Sequence, residues 1–294
     1  MRKDRYAQLN RIRSLDPERD YVEIYRTMVR YEFPWDLKLG LNLAFNRSFS
    51  LPSIAAVHTQ TGELLHHTQK RIDDTGLLMY EMILNGFEHP RGRASLRRVN
   101  QLHRPYDIPN EDYLYVLGCL VVIPLRWLER YGWRQPCCHE RRATFVFYRE
   151  LGKRMNISDI PDSYEALEAW FDAYDAEHLR PNDEAAAIER ATRMLMKSRV
   201  PRALSRVSDA LVIAMYDDRL RHAVQVPSPP WLIRAGLHLA LKARAFVLRH
   251  FAAPRKTAMF ADGIRTKTYP NGYDINALGP AHSPRESATD SGTR

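Results

Sequence analysis

Apolar positions recur at a helical period along almost the whole chain, and no segment sustains the strict alternation of a half-buried strand. From Tyr21 to Tyr31 the set Tyr21, Ile24, Tyr25, Met28 and Val29 marks one helix face, and Pro34 ends that segment. Trp35 to Phe45 is a buried, mostly helical stretch. After a break at Arg47–Ser53, a short helix starts at Pro52, where the missing N–H costs nothing. Asp73 to Leu84 is apolar nearly all round, so it lies inside, and Asn85-Gly86 caps its C-terminus. A basic helix, Arg91 to His103, comes next. Asn110 then caps a very apolar helix to Trp133, kinked at Pro124.

Further helices are expected over Glu140–Met155, from a capping box at Asp162–Glu165 to Tyr174, over Asp183–Lys197, over Ala203–Met215 and, after a Pro-rich linker, over Trp231–Phe251. The fold class is therefore all-α, with no internal repeat. One large helical domain with a globin-like or bundle-like core occupies 21–280. A polar arm precedes it over 1–20, and a Ser/Pro/Gly/Thr-rich tail, read as disordered, covers 281–294.

Composition changes the picture little: 45% hydrophobic and 27% charged residues suit a globular chain with a large core. The longest apolar run, Tyr113 to Leu125, falls short of the roughly 18–20 residues of a membrane span. Three cysteines, two of them adjacent, give no disulfide framework and point to a reducing, cytoplasmic compartment. No secretory leader is recognisable at the polar N-terminus.

Charge is more informative. Of the formal +9, residues 190–267 carry 16 Lys and Arg against 4 Asp and Glu, a local +12. Either a solvated basic face or a surface for nucleic acid or anionic lipid accounts for it. No nucleic-acid motif accompanies it, so no nucleic-acid partner is expected. On the 231–251 helix, Arg234, His238, Lys242 and Arg249 fall within about 80° of one another. Peripheral contact with a membrane would use such a face. A packed terminal helix with its basic side in water is the preferred reading, since amphipathic helices mostly face a core.

Chemistry-bearing residues concentrate between Arg71 and Pro124, where Arg71, Asp73, Asp74, Arg97, Arg98 and His103 flank the two most apolar segments. Buried charge is costly unless paired or bound, so a lined pocket is expected there. Nucleotide, P-loop, zincin and nucleophile-elbow motifs are absent, and Asp73, Asp74 and Glu81 lack the Glu-x-x-His of a di-iron bundle. His58, His66, His67 and His89 lie in polar, loop-like sequence and read as exposed; the Cys137-Cys138-His139 run is a poor chelator. His103 is either a haem-iron ligand or a helix-terminal histidine favoured by the dipole, and composition alone prefers the second.

A resemblance bears on that choice. Arg47…Phe49…Leu51-Pro52-Ser53-Ile54-Ala55…Thr61-Gly62…Gln69-Lys70-Arg71-Ile72-Asp73-Asp74-Thr75 is similar to the MpaB-type oxygenase family. So are Arg97-Arg98-Val99-Asn100…His103…Tyr106…Ile108…Asn110…Asp112-Tyr113-Leu114-Tyr115-Val116, then Tyr131-Gly132-Trp133-Arg134, Glu140, Ile157–Pro161 and Thr268–Tyr273, in order from about Glu32 to Pro280. That family shares a catalytic domain with the latex-clearing (rubber) oxygenases. The resemblance implies a helical core around a buried pocket for haem b (iron), and dioxygen-dependent C=C cleavage of an apolar, isoprenoid- or lipid-like substrate. Arg71 and Thr75 match an Arg-x-x-x-Thr pair of the pocket, and Arg97 and Arg104 two arginines of an Arg-x-x-His-x-x-x-Arg motif. Asn100 stands at its histidine, so His103, three residues on, becomes the expected iron ligand, with Arg97, Arg98 or Arg104 on the propionates. The alternative is a non-enzymatic, membrane-peripheral protein that binds apolar ligands in the same pocket.

Overall fold

The computed structural model describes residues 4–198, 201, 205–252 and 265–280, and among them there is no strand. The expected tail at 281–294 lies outside the described residues. Fourteen α-helices appear, numbered in chain order: α1 (Ala7–Ser14), α2 (Tyr21–Thr27), α3 (Pro34–Ser48), α4 (Pro52–Thr61), α5 (Glu63–His66), α6 (Thr68–Asn85), α7 (Pro90–His103), α8 (Asn110–Tyr131), α9 (Cys138–Arg154), α10 (Tyr164–His178), α11 (Asp183–Lys197), α12 (Ser205–Ala214), α13 (Asp218–Ala223) and α14 (Trp231–His250). α2 runs into a π-helical turn at Met28–Glu32, and a 3₁₀ turn at Ile275–Ala277 lies near the end of the described chain.

α8 is the axle of the domain. Thirteen of its residues, from Asp112 to Leu128, are buried, so helices must cover it on every side. α3 crosses it at Gly40, where an added Cβ would stand 2.8 Å from the Pro124 Cα. The backbones meet there because no side chain separates them. α8 continues through Pro124. On another side, α2 and α9 pack through an aromatic cluster: Tyr25 and Phe147 centroids are 4.9 Å apart, and the hydroxyls of Tyr25 and Tyr148 share a hydrogen bond of 3.0 Å. α10 closes a further side, its Phe171 stacked on Tyr115 at 5.4 Å.

Most of the buried charge in the core is paired. Arg134 bridges Glu32 and Glu140, while Arg47 makes a two-pronged pair with Asp175, at 2.7 Å on each prong, that ties α3 to α10. Tyr115 donates to the same carboxylate at 2.7 Å. The acidic residues of α6 are satisfied by the returning C-terminal segment: the Thr268 and Tyr269 hydroxyls donate to Asp73 and Asp74, and Tyr273 to Glu81.

Several local expectations shift. Asn110 is the first residue of α8 rather than its cap, which is Pro109. α10 is capped by Ser163 accepting from the Ala166 N–H, not by a box at Asp162 and Glu165; a box forms instead at Cys137 and Glu140 of α9. α1, inside the presumed arm, buries Leu9 and Ile12 against the domain. α14 buries Leu241 alone, so the packed terminal helix expected there is realised only along a narrow stripe.

Candidate active site

α3, α4, α6, α7 and the N-terminal half of α8 enclose a cavity of about 1640 Å³ of space outside any atom, its mouth included. Most of its wall is aliphatic or aromatic, including Ile54, Leu78, Met82, Val99, Val116 and Leu120. Arg71, Thr75, His58 and His103 line it too. This matches the usual constitution of a ligand site, an apolar concavity with few convergent polar groups.

Each polar group is placed by its helix. Arg71 and Thr75 are one turn apart on α6, so they point the same way. The Arg71 guanidinium donates to the Thr75 hydroxyl, which in turn donates to the Arg71 carbonyl at 3.0 Å. Among the described residues, no carboxylate comes within ion-pair distance of Arg71. Burial lowers its pKa, although Asp74, Glu63 and Tyr106 pull the other way. A guanidinium in that state is poised for an anionic ligand.

His103 ends α7. Its Nδ1–H donates to the Val99 carbonyl at 2.8 Å, which fixes the tautomer and leaves the Nε2 lone pair as the available donor atom. Burial lowers its pKa, and the Arg71 charge adds to that against the Val99 hydrogen bond, so the imidazole is neutral. The Tyr113 ring sits 5.8 Å away.

The sequence reading missed His58. It lies on α4, its ring edge-on to Phe49 at 4.7 Å, and faces the cavity rather than solvent. Burial and the nearby Arg71 and His103 push its pKa down to about 3. The spacing of Ile54, Val57, His58 and Thr61 along α4 was a usable signal, since i, i+3, i+4 and i+7 share a face.

The other predicted site residues are placed elsewhere. Arg97, Asn100 and Arg104 line a separate, shallow depression on the far side of α7, with Arg93 and Gln101. Asn100 donates to the Arg154 carbonyl at 3.0 Å, and Arg98 to the Leu278 carbonyl at 2.7 Å. None of these four is among the residues that line the cavity. At about 100° per residue, Val99 and Asn100 flank His103 on opposite sides. The cavity lies on the Val99 side, which turns Asn100, Arg97 and Arg104 away.

Two neutral imidazoles, His58 and His103, beside a guanidinium that has no ion pair among the described residues suit a metal that brings its own remaining ligands, as a porphyrin does. Among the described residues no three His, Cys, Asp or Glu side chains converge as a protein-only metal site requires. The donor set therefore fits haem.

Residues 39–249 match the family described as ER-bound oxygenase mpaB/B'/Rubber oxygenase, catalytic domain. The chain is 30% identical over 267 residues to the ER-bound oxygenase mpaB' of Penicillium brevicompactum, an alignment covering 83% of this chain and 62% of that protein. It is 27% identical over 265 residues to the ER-bound oxygenase mpaB of the same fungus, covering 83% and 60%. Against the ER-bound oxygenase mpaB of Penicillium roqueforti (strain FM164) it is 28% identical over 228 residues, covering 70% and 76%. The chain thus spans about three fifths of the length of the two P. brevicompactum relatives. No helix among the described residues is long and apolar enough to cross a membrane. On its sequence and its all-helical architecture, the chain belongs to the mpaB/B' and rubber oxygenase catalytic-domain family.

Proposed function

We propose that this protein is a haem b-dependent oxygenase that acts with dioxygen on an apolar, isoprenoid- or lipid-like substrate, by oxidative cleavage of a C=C bond. The observation that carries the reading is the cavity itself: apolar walls around His103, whose Nδ1 is engaged and whose pKa burial lowers, and an Arg71 that has no ion pair among the described residues. His103 would hold the iron, and Arg71, oriented by Thr75, would hold a propionate or another anionic group in reach. Haem, when bound, would supply the oxygen chemistry, which no side chain of this pocket performs by itself.

The chain's own contribution is position and polarity. Ile54, Leu78 and Val116 accept a hydrocarbon chain and keep water from the reacting bond. His58 stays neutral, so it can donate one ring N–H hydrogen bond to a polar atom without adding a charge to an apolar site. Arg98 and Asn100 fix α7, and with it His103, against the C-terminal segment and the end of α9.

The test is a visible absorption spectrum of protein from haem-supplemented cells, before and after dithionite. A Soret band that moves on reduction supports the reading and leads to a screen of alkene substrates by mass spectrometry of the carbonyl products. A folded protein that stays colourless through haem titration overturns it and leaves the non-enzymatic apolar-ligand binder.

A further inference from the structure

The outward face of α14 is apolar. Leu232, Leu239, Phe246 and Val247 are 64%, 70%, 57% and 50% exposed, and Trp231 and Phe251 at the two ends are 68% and 75% exposed. At about 100° per residue the first four lie within about 100° of arc opposite Leu241, the one buried side chain of the helix. Gly236 and Ala243 fall in the same arc, and His250, in the last turn, is the one titratable side chain within it. Isolated exposed apolar residues are ordinary; a contiguous run along one helix marks an interaction surface.

The inward stripe is partly polar. Arg244 donates to both carboxylate oxygens of Asp36, at 2.9 and 3.1 Å, and lies 4.0 Å over the Trp35 ring. Lys242 donates to the Arg130 carbonyl at 2.6 Å, at the C-terminal end of α8. These contacts hold α14 on the domain in a fixed orientation, with its apolar side turned out.

Charge decides the occupant. Arg234 and Arg249, with His238 and Lys242 that also touch Tyr131 and the Arg130 carbonyl, form a strip between the packed stripe and the apolar face, and α14 contains no acidic residue. A second copy therefore offers no acid on this helix to meet the strip, in either orientation. A hydrocarbon layer bordered by anionic headgroups meets both features at once: apolar side chains sink into the acyl boundary while the basic stems reach sideways to phosphate. We infer that α14 is an interfacial helix that docks this protein on the surface of an anionic lipid bilayer. The surface is separate from the cavity, since α14 touches α8 at Arg130 and Tyr131 whereas the cavity meets it from Asp112 to Leu120.

The experiment uses the full chain with sedimenting vesicles of phosphatidylcholine, with and without phosphatidylserine. Binding is expected to be at least about tenfold tighter with phosphatidylserine. The double variant Leu239→Ser/Phe246→Ser is expected to weaken it by about tenfold or more, because two large side chains no longer leave water. Its thermal melt should match wild type, since both side chains are exposed before binding. Brominated lipid should quench Trp231, a quench that Trp231→Phe removes. Binding that survives the double variant assigns the contact to another surface and overturns the inference. Absence of vesicle binding overturns it too; a dimer by light scattering that the double variant disperses would then identify a second copy as the occupant.

Discussion

Replacing Arg71 with methionine is expected to stabilise the cofactor-free protein and weaken its hold on haem. Arg71 keeps a positive charge on the cavity wall with a hydroxyl, not a carboxylate, as its hydrogen-bond partner. Its lowered pKa says the folded environment disfavours the charge, burial outweighing the attraction of Asp74, Glu63 and Tyr106. Methionine fills a similar volume without the charge. Exchanging buried charge for apolar volume is neutral to favourable by about 1–4 kcal/mol, and the cavity's access to water puts Arg71 at the low end, about 1 kcal/mol. For a chain of 294 residues that is a rise of about 1–2 °C in Tm. Thermal melts by circular dichroism measure it, and haem titration followed at the Soret band measures the loss of binding. A normally paired arginine behaves oppositely: breaking a buried pair costs about 3–5 kcal/mol. If Arg71→Met melts well below wild type, or binds haem as tightly, Arg71 is a structural cation and its assignment to ligand binding fails.

Other outcomes follow from the same geometry. His103→Ala is expected to abolish the Soret band with helical content unchanged, and full haem occupancy in that variant would refute the ligand assignment. His58, whose pKa falls to about 3, binds its proton in the unfolded chain but not in the fold between about pH 6.5 and 3. In cofactor-free protein it therefore removes up to about 1.4 kcal/mol of stability per pH unit as pH falls through that window. Urea titrations against pH should show a shallower acid limb in His58→Leu, and superimposable limbs would contradict the burial argument. Asp175→Asn removes the two-pronged carboxylate from the Arg47 guanidinium, which keeps its 2.5 Å pair with the more exposed Asp217, so the cost should lie at the low end for a broken buried pair, about 3 kcal/mol. Burial pushes the Asp175 pKa up, but Arg47 and Tyr115 outweigh that and hold it low, so the contribution is complete above the ordinary carboxylate range and lost as pH falls through the folded value. The stability gap between wild type and variant should narrow in acid; a gap independent of pH would refute the role of the charge. Gly40→Ala drives a methyl group to 2.8 Å from the Pro124 Cα, and an overpacking cost of about 1–3 kcal/mol is expected in chemical denaturation. A neutral substitution would show that α3 and α8 can part.

The helices were legible in the chain because their cause is local. Periodicity places α6 inside and α8 deeper still, prolines and glycines mark their ends, and the placing of Arg71 and Thr75 one turn apart makes them neighbours before any tertiary contact forms. The same local view sees that α7 carries Val99, Asn100 and His103 on adjoining faces, but not which face meets a cavity. That depended on how α7 packs beside α6 and under the C-terminal segment, and it separated His103 from Asn100, Arg97 and Arg104. His58 sits in polar sequence, and only the tertiary structure sets it on a cavity wall shared with Arg71 of α6 and His103 of α7. α14 makes the point from the surface. Its sequence specifies an amphipathic helix, a property of one segment. Which side faces water is a property of the partners available: Asp36, Trp35 and the end of α8 take the Arg244 and Leu241 stripe and leave the broader apolar face open. Backbone propensity and hydrophobic period act within a few residues, whereas burial of a side chain depends on segments distant in the chain, so the fold class was written in the sequence and the site was composed by packing.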